Sequence, residues 1–93
     1  MVVGLLQIDL HLPMALSLKD KRSIMKSLKD RLHGRFNVGA SQIEANEKWQ
    51  RASLGVVTVG PDSGIVEGCL RGVVAWIERD RAVEIIRVEQ ELW

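Results

Sequence analysis

Ser17–Arg35 reads SLKDKRSIMKSLKDRLHGR. Wound at 100° per residue, Leu18, Met25, Leu28 and Leu32 gather on one side with Ile24 beside them. That is the stripe a helix needs to dock on a core. Ser17 stands three residues before Asp20, the spacing of a capping box. Gly34, after the last periodic leucine, is the expected stop. Lys19, Arg22, Lys26, Lys29 and His33 recur at intervals of three and four on another side, a cationic ridge that points away from any core. Lys21 breaks the pattern by falling inside the apolar stripe. Its stem is expected to lie along the core edge while the ammonium reaches water or a carboxylate.

The segments on either side of this helix complete a fold. Val2–Leu12 alternates, with Leu6, Ile8, Leu10 and Leu12 on one face and Leu5, Gln7, Asp9 and His11 on the other, as in a strand with one buried face. Pro13 ends it. Phe36 to about Ile43 is a weaker strand, interrupted by Gly39 and placed at an edge. A polar connection, Glu44–Gln50, leads to a strong strand, Arg51–Val59, closed by the turn residues Gly60-Pro61-Asp62. Asp62 or Ser63 caps a second helix running to about Arg79, with the apolar stripe Ile65, Val66, Cys69, Leu70, Val73, Val74, Trp76 and Ile77. Ala82–Leu92 is the last strand. The order β-α-β-β-α-β predicts an α+β fold: a ferredoxin-like sandwich of four antiparallel strands with both helices on one face. The other sheet face is left to be solvated, to bind something, or to meet a second subunit.

Ninety-three residues make a single domain, residues 1–93, with no room for a second core. No apolar run is long enough to span a bilayer. The start MVVGLLQIDLHL lacks the basic leader and cleavage site of a secretory signal, so a cytoplasmic protein is expected. Cys69 is the only cysteine, which excludes an internal disulfide and a thiolate-rich metal site. It reads as a small buried hydrophobe.

The run LSLKDKRSIMKSLKDRLHGRFNV followed by EKWQRASLGVVTV resembles the YlxP-like family, a bacterial family of unknown function (domain of unknown function family 503). The likeness rests on Leu18-Lys19, Lys21-Arg22, Arg35-Phe36-Asn37-Val38 and Trp49-Gln50-Arg51-Ala52, and covers essentially the whole chain. It implies a ferredoxin-like fold. Genes of this family often lie beside those for transcription-elongation, translation-initiation and ribosome-binding factors, which implies a role near the ribosome or RNA. The family offers no agreed catalytic residues.

Charge gives the leading functional expectation. Ser17–Arg35 holds seven Lys or Arg against two Asp, a surplus of five, while the chain carries only +1. The remainder is therefore net negative by four. Lys19, Arg22, Lys26, Lys29, His33 and Arg35 are the candidate nucleic-acid contacts, suited to ribosomal or other structured RNA because A-form helices are met through phosphates and 2′-hydroxyls. An ordinary solvated helix face is the plainer explanation. The two central strands contain no aromatic residue, which disfavours base stacking on the sheet. Val3, Leu5, Val57 and Val59 instead form an apolar set on the open face, the expected interface of a homodimer. The alternative function is an oligomeric regulatory or scaffold module that binds a partner protein or small ligand at that face.

Gly64, Gly68 and Gly72 recur every four residues in the second helix, each costing about 1 kcal/mol relative to Ala. Close approach of another backbone is the expected return. The loop Gly60–Gly64 is a poor phosphate cradle, since Asp62 occupies the anion's place and no P-loop lysine follows. Asp9 and His11 share a strand face, but no nucleophile accompanies them, and a surface hydrogen bond explains them as well. No catalytic set, cofactor site or metal site is expected.

Overall fold

The computed structural model describes residues 1–44 and 47–93. The expected connection Glu44–Gln50 spans residues 45 and 46, which lie outside the described residues. Six elements follow in order: β1 (Val2–His11), α1 (Leu18–Arg35), β2 (Gly39–Gln42), β3 (Arg51–Gly60), α2 (Ser63–Glu78) and β4 (Glu84–Leu92). The strands form one sheet in the order β2-β3-β1-β4, and every neighbouring pair is antiparallel. This is the α+β, ferredoxin-like arrangement that the element order implies.

Alternation along β1 decides which face is covered. Leu6, Ile8 and Leu10 of β1, with Leu12 just beyond it, join Ala52, Leu54 and Val56 of β3 in the core. They meet Met25, Leu28 and Leu32 of α1 and Val66, Leu70, Val73 and Ile77 of α2. Deep burial at these positions is the main favourable term in folding, at about 25 cal/mol per Å² of apolar surface removed from water. Where the two helices meet, Phe36 and Trp76 pack edge to face with centroids 6.2 Å apart. The Arg31 guanidinium stands 5.3 Å from the Trp76 ring centroid and bonds Asp80 at 2.7 Å.

Four local expectations need correction. Helix α1 runs through Gly34 to Arg35, and Phe36 is the extended residue that ends it. No glycine has a positive φ, so Gly34 lies in the last turn as an ordinary helical residue. β2 is confined to Gly39–Gln42, because Phe36 and Val38 turn inward to pack on the core instead of pairing with β3. Ile65 is exposed, one turn position off the stripe that buries Val66. The glycine spacing in α2 admits no neighbouring backbone: a methyl group at Gly64 or Gly68 meets only Asp62 or Arg71 side-chain atoms, and at Gly72 the Phe36 ring. Close approach occurs at Gly4 of β1, where a Cβ stands 2.5 Å from Val66 and 2.9 Å from Leu70. The missing side chain on the strand is what lets α2 settle on the sheet.

Candidate nucleic-acid interface

The α1 helix starts as its sequence dictates. Ser17 Oγ accepts from the Asp20 amide at 3.0 Å, and Asp20 Oδ2 accepts from the Leu16 amide at 3.0 Å, so two amides at the helix start are satisfied reciprocally. Burying Met25, Leu28 and Leu32 then fixes the rotation of the helix about its axis, and that rotation decides where the cations go.

The seven Lys and Arg of α1 divide into two groups. Three are matched. Lys26 bonds Asp30 at 2.7 Å, one turn away. The hydrogen bond and charge of Asp30 hold the Lys26 ammonium above its ordinary value, and Lys26 in turn holds the Asp30 carboxyl below its own. Arg31 is taken by Asp80 and Trp76. Lys21 is buried; its Nζ donates to the Lys48 carbonyl at 3.0 Å and pairs with Glu44 at 3.5 Å. Of the two destinations expected for that ammonium, it finds the carboxylate, and it finds it out of solvent. Four cations remain. Lys19, Arg22 and Arg35 are exposed and Lys29 is half-buried, and none has an acidic partner among the described residues.

His33 stands apart from these cations. Its Nε2 accepts from the Ala40 amide at 3.1 Å, and an accepting nitrogen carries no proton. In this arrangement the ring is a neutral tie between α1 and β2, not a member of a positive row. The ridge thus keeps Lys19, Arg22 and Lys29, with the Lys26–Asp30 pair between Arg22 and Lys29, while Arg35 stands off its line in the last turn. Of Glu44, Glu47 and Glu84, the acidic residues that could cancel it, Glu44 pairs with Lys21 and Glu84 with His11 at 3.2 Å.

The opposite face of the sheet presents the other candidate residues. Val3 lies directly across from Val59 and Leu5 across from Val57, so the four form two adjacent cross-strand pairs. Leu5, Val57 and Val59 are exposed. Beside them Gly39 and Gly55 carry no side chain and Ile43 leans over Gly55, which leaves a shallow depression of about 530 Å³. Gln7, Glu89 and Glu91 border it. Trp93 joins this face through its paired backbone bonds with Val3; the aromatic arrives from the flank, a placement that reading only the central strands misses. Further along, Asp9 accepts from Ser53 Oγ at 2.6 Å while His11 turns to Glu84. Each of the two therefore has its own partner, and they do not act on one another. Among the described residues no three His, Cys, Asp or Glu side chains gather to hold a metal, and no helix is long and apolar enough to cross a membrane.

Comparison with known proteins agrees with the resemblance. A family described as "Protein of unknown function (DUF503)" matches residues 3–90. The chain is also 35% identical over 68 residues to the uncharacterized protein YlxP of Bacillus subtilis (strain 168), an alignment covering 73% of this chain and 74% of that one.

Proposed function

We propose that this chain, which belongs to the YlxP-like DUF503 family, contacts structured RNA through the outer face of α1. One observation carries the reading: Lys19, Arg22, Lys29 and Arg35 stand without acidic partners among the described residues, on a helix whose rotation is fixed by its buried stripe. Cations held at fixed positions on a rigid helix meet phosphates without losing further backbone freedom, and counterion release drives the association. Neither Lys26, tied to Asp30, nor His33, tied to Ala40, adds much to it. The gene neighbourhoods typical of the family support an RNA-linked role.

Filter binding to a structured RNA across a salt series tests this. Four phosphate contacts imply a loss of affinity on the order of 100-fold between 50 and 200 mM salt. Lys19→Glu with Arg22→Glu, or Lys29→Glu with Arg35→Glu, each abolishes most of the binding. Absence of binding at low salt, or indifference to both double substitutions, removes the reading.

A second reading rests on the depression beside Leu5 and Val57. An apolar group carrying positive charge fits there, with Glu89 and Glu91 at its border, as part of a partner protein or a small ligand. An environment-sensitive apolar dye that binds the wild type, and fails to bind Leu5→Lys with Val57→Lys, supports an accessible site of this kind.

A further inference from the structure

β4 is the most open element of the molecule. Of its nine residues only Ile85 is even half-buried, and Ile86, Val88 and Leu92 are exposed apolar side chains. β4 is also a sheet edge. The other edge, β2, has four residues; short edges resist pairing, and long exposed ones invite it.

The backbone of β4 has a defined polarity. Val3 and Trp93 exchange both of their N–H···O bonds, at 2.8 and 2.7 Å. In an antiparallel ladder such pairs alternate with residues whose polar groups face the other way. Glu91, Glu89 and Arg87, opposite Leu5, Gln7 and Asp9, therefore direct their N–H and C=O groups into the sheet. Leu92, Gln90 and Val88 direct theirs outward, and among the described residues no strand lies beyond them.

We propose that a second copy of this chain pairs with that edge, β4 against β4, about a two-fold axis through Val88. Two-fold pairing of identical antiparallel strands places one residue opposite itself, so the charges select the register. An axis at Arg87 sets arginine against arginine. An axis at Glu89 sets glutamate against glutamate. An axis at Val88 sets Arg87 against Glu89 of the partner subunit, twice. These are non-hydrogen-bonded positions, where facing side chains come closest. Val88 then meets its counterpart and exchanges the two outward bonds. Arg87 and Glu89 already pair within one chain, so the two copies assemble an alternating cluster of four charges. Arg87 is the only cation of β4, and Glu84, Glu89 and Glu91 are its acidic residues. The same acidic set that repels an unrelated acidic strand accepts this one register. The product is an eight-stranded sheet with all helices on one side, which leaves the open face and the depression accessible. The apolar set Val3, Leu5, Val57 and Val59 has no comparable device to choose a register, so the edge is where the second copy belongs.

Sedimentation velocity over a wide concentration range, with circular dichroism as a control for folding, tests the proposal. The wild type is expected to dimerise. Val88→Pro removes an outward N–H that the isolated fold does not use, and weakens association at least about tenfold. Arg87→Glu alone and Glu89→Arg alone do the same. The double exchange, Arg87→Glu with Glu89→Arg, restores association to within about threefold of wild type, because the pairs reform with reversed sign. With an axis at Glu89 the same exchange sets arginine against arginine, so failure of the rescue overturns the register. A wild type that stays monomeric at the highest concentrations overturns the proposal, as does a dimer abolished by Leu5→Lys and indifferent to Val88→Pro.

Discussion

Helix α2 meets the sheet with Val66, Leu70, Val73 and Ile77 and settles against Gly4, whereas α1 gives one of its four buried positions to Lys21. The two lie in one layer, over one core. α2 meets the sheet through apolar side chains, and its outer surface carries glycines that meet little. α1 is held by three apolar side chains and a charged pin into the β2–β3 connection, and its outer surface carries cations. A helix docked partly by a polar contact has a sharply defined rotation and end position, because hydrogen bonds are directional where apolar contact is not. The comparison teaches that the helix with the more specific seat is also the one bearing the unmatched cations.

The largest expected effect is on the apolar side of this contrast. Leu70→Ala removes a fully buried side chain from α2 and costs about 3 kcal/mol in chemical denaturation. Lys21→Met tests the other side. It keeps the volume but leaves Glu44 and the Lys48 carbonyl without the ammonium, at a cost of about 2 kcal/mol. A neutral or stabilising result means that α1 docks as α2 does, and the contrast disappears. A double-mutant cycle with Glu44→Gln sharpens it, with an expected coupling of about 1 kcal/mol.

Smaller effects of opposite sign come from the glycines. Gly68→Ala in α2 and Gly34→Ala in α1 place a methyl group where nothing crowds it, and each stabilises by about 0.5–1 kcal/mol. Gly72→Ala gains less, since its Cβ falls 3.2 Å from the Phe36 ring. Failure of Gly68→Ala to stabilise would mean that something covers α2 in solution.

The smallest effect is the titration of the exposed Lys26–Asp30 pair. Asp30 has a lowered value in the fold, so its contribution is full above the ordinary carboxyl range and fades as pH falls through the lowered value, below 3.8. Lys26 has a raised value, so its contribution is full below 10.5 and fades as pH rises through the raised value. Carboxyl NMR of Lys26→Gln is expected to show the Asp30 midpoint moving up toward its ordinary position, and high salt should shift the wild type the same way.

Much of this molecule was legible in the residues. Alternation in β1 and β3 and the periodic stripes of both helices give the covered face, and Ser17 and Asp62 mark both helix starts, since these signals are local. What escaped reading depends on partners distant in the chain. Nothing around Lys21 announces Lys48, nothing around His33 announces the Ala40 amide, and the division of the α1 cations into matched and unmatched follows from contacts such as Arg31 with Asp80. The helical glycines misled because spacing records a possible approach, whereas the close approach falls on Gly4, an isolated glycine in a strand. The cross-strand pairing of the apolar set, Val3 with Val59 and Leu5 with Val57, is the plain result of the β1–β3 register.

Lys21 also bears on the order in which the chain comes together. Its carbonyl partner is 27 residues away in sequence, so the first turn of α1 cannot seat dry until the connection before β3 has closed over it. Pressing that turn onto the core earlier strands an ammonium without compensation. The amino end of the helix is therefore a late arrival in folding, with φ-values near zero around Lys21 and higher ones around Leu28 and Leu32. Substitutions at the pin should speed unfolding and leave the refolding rate almost untouched.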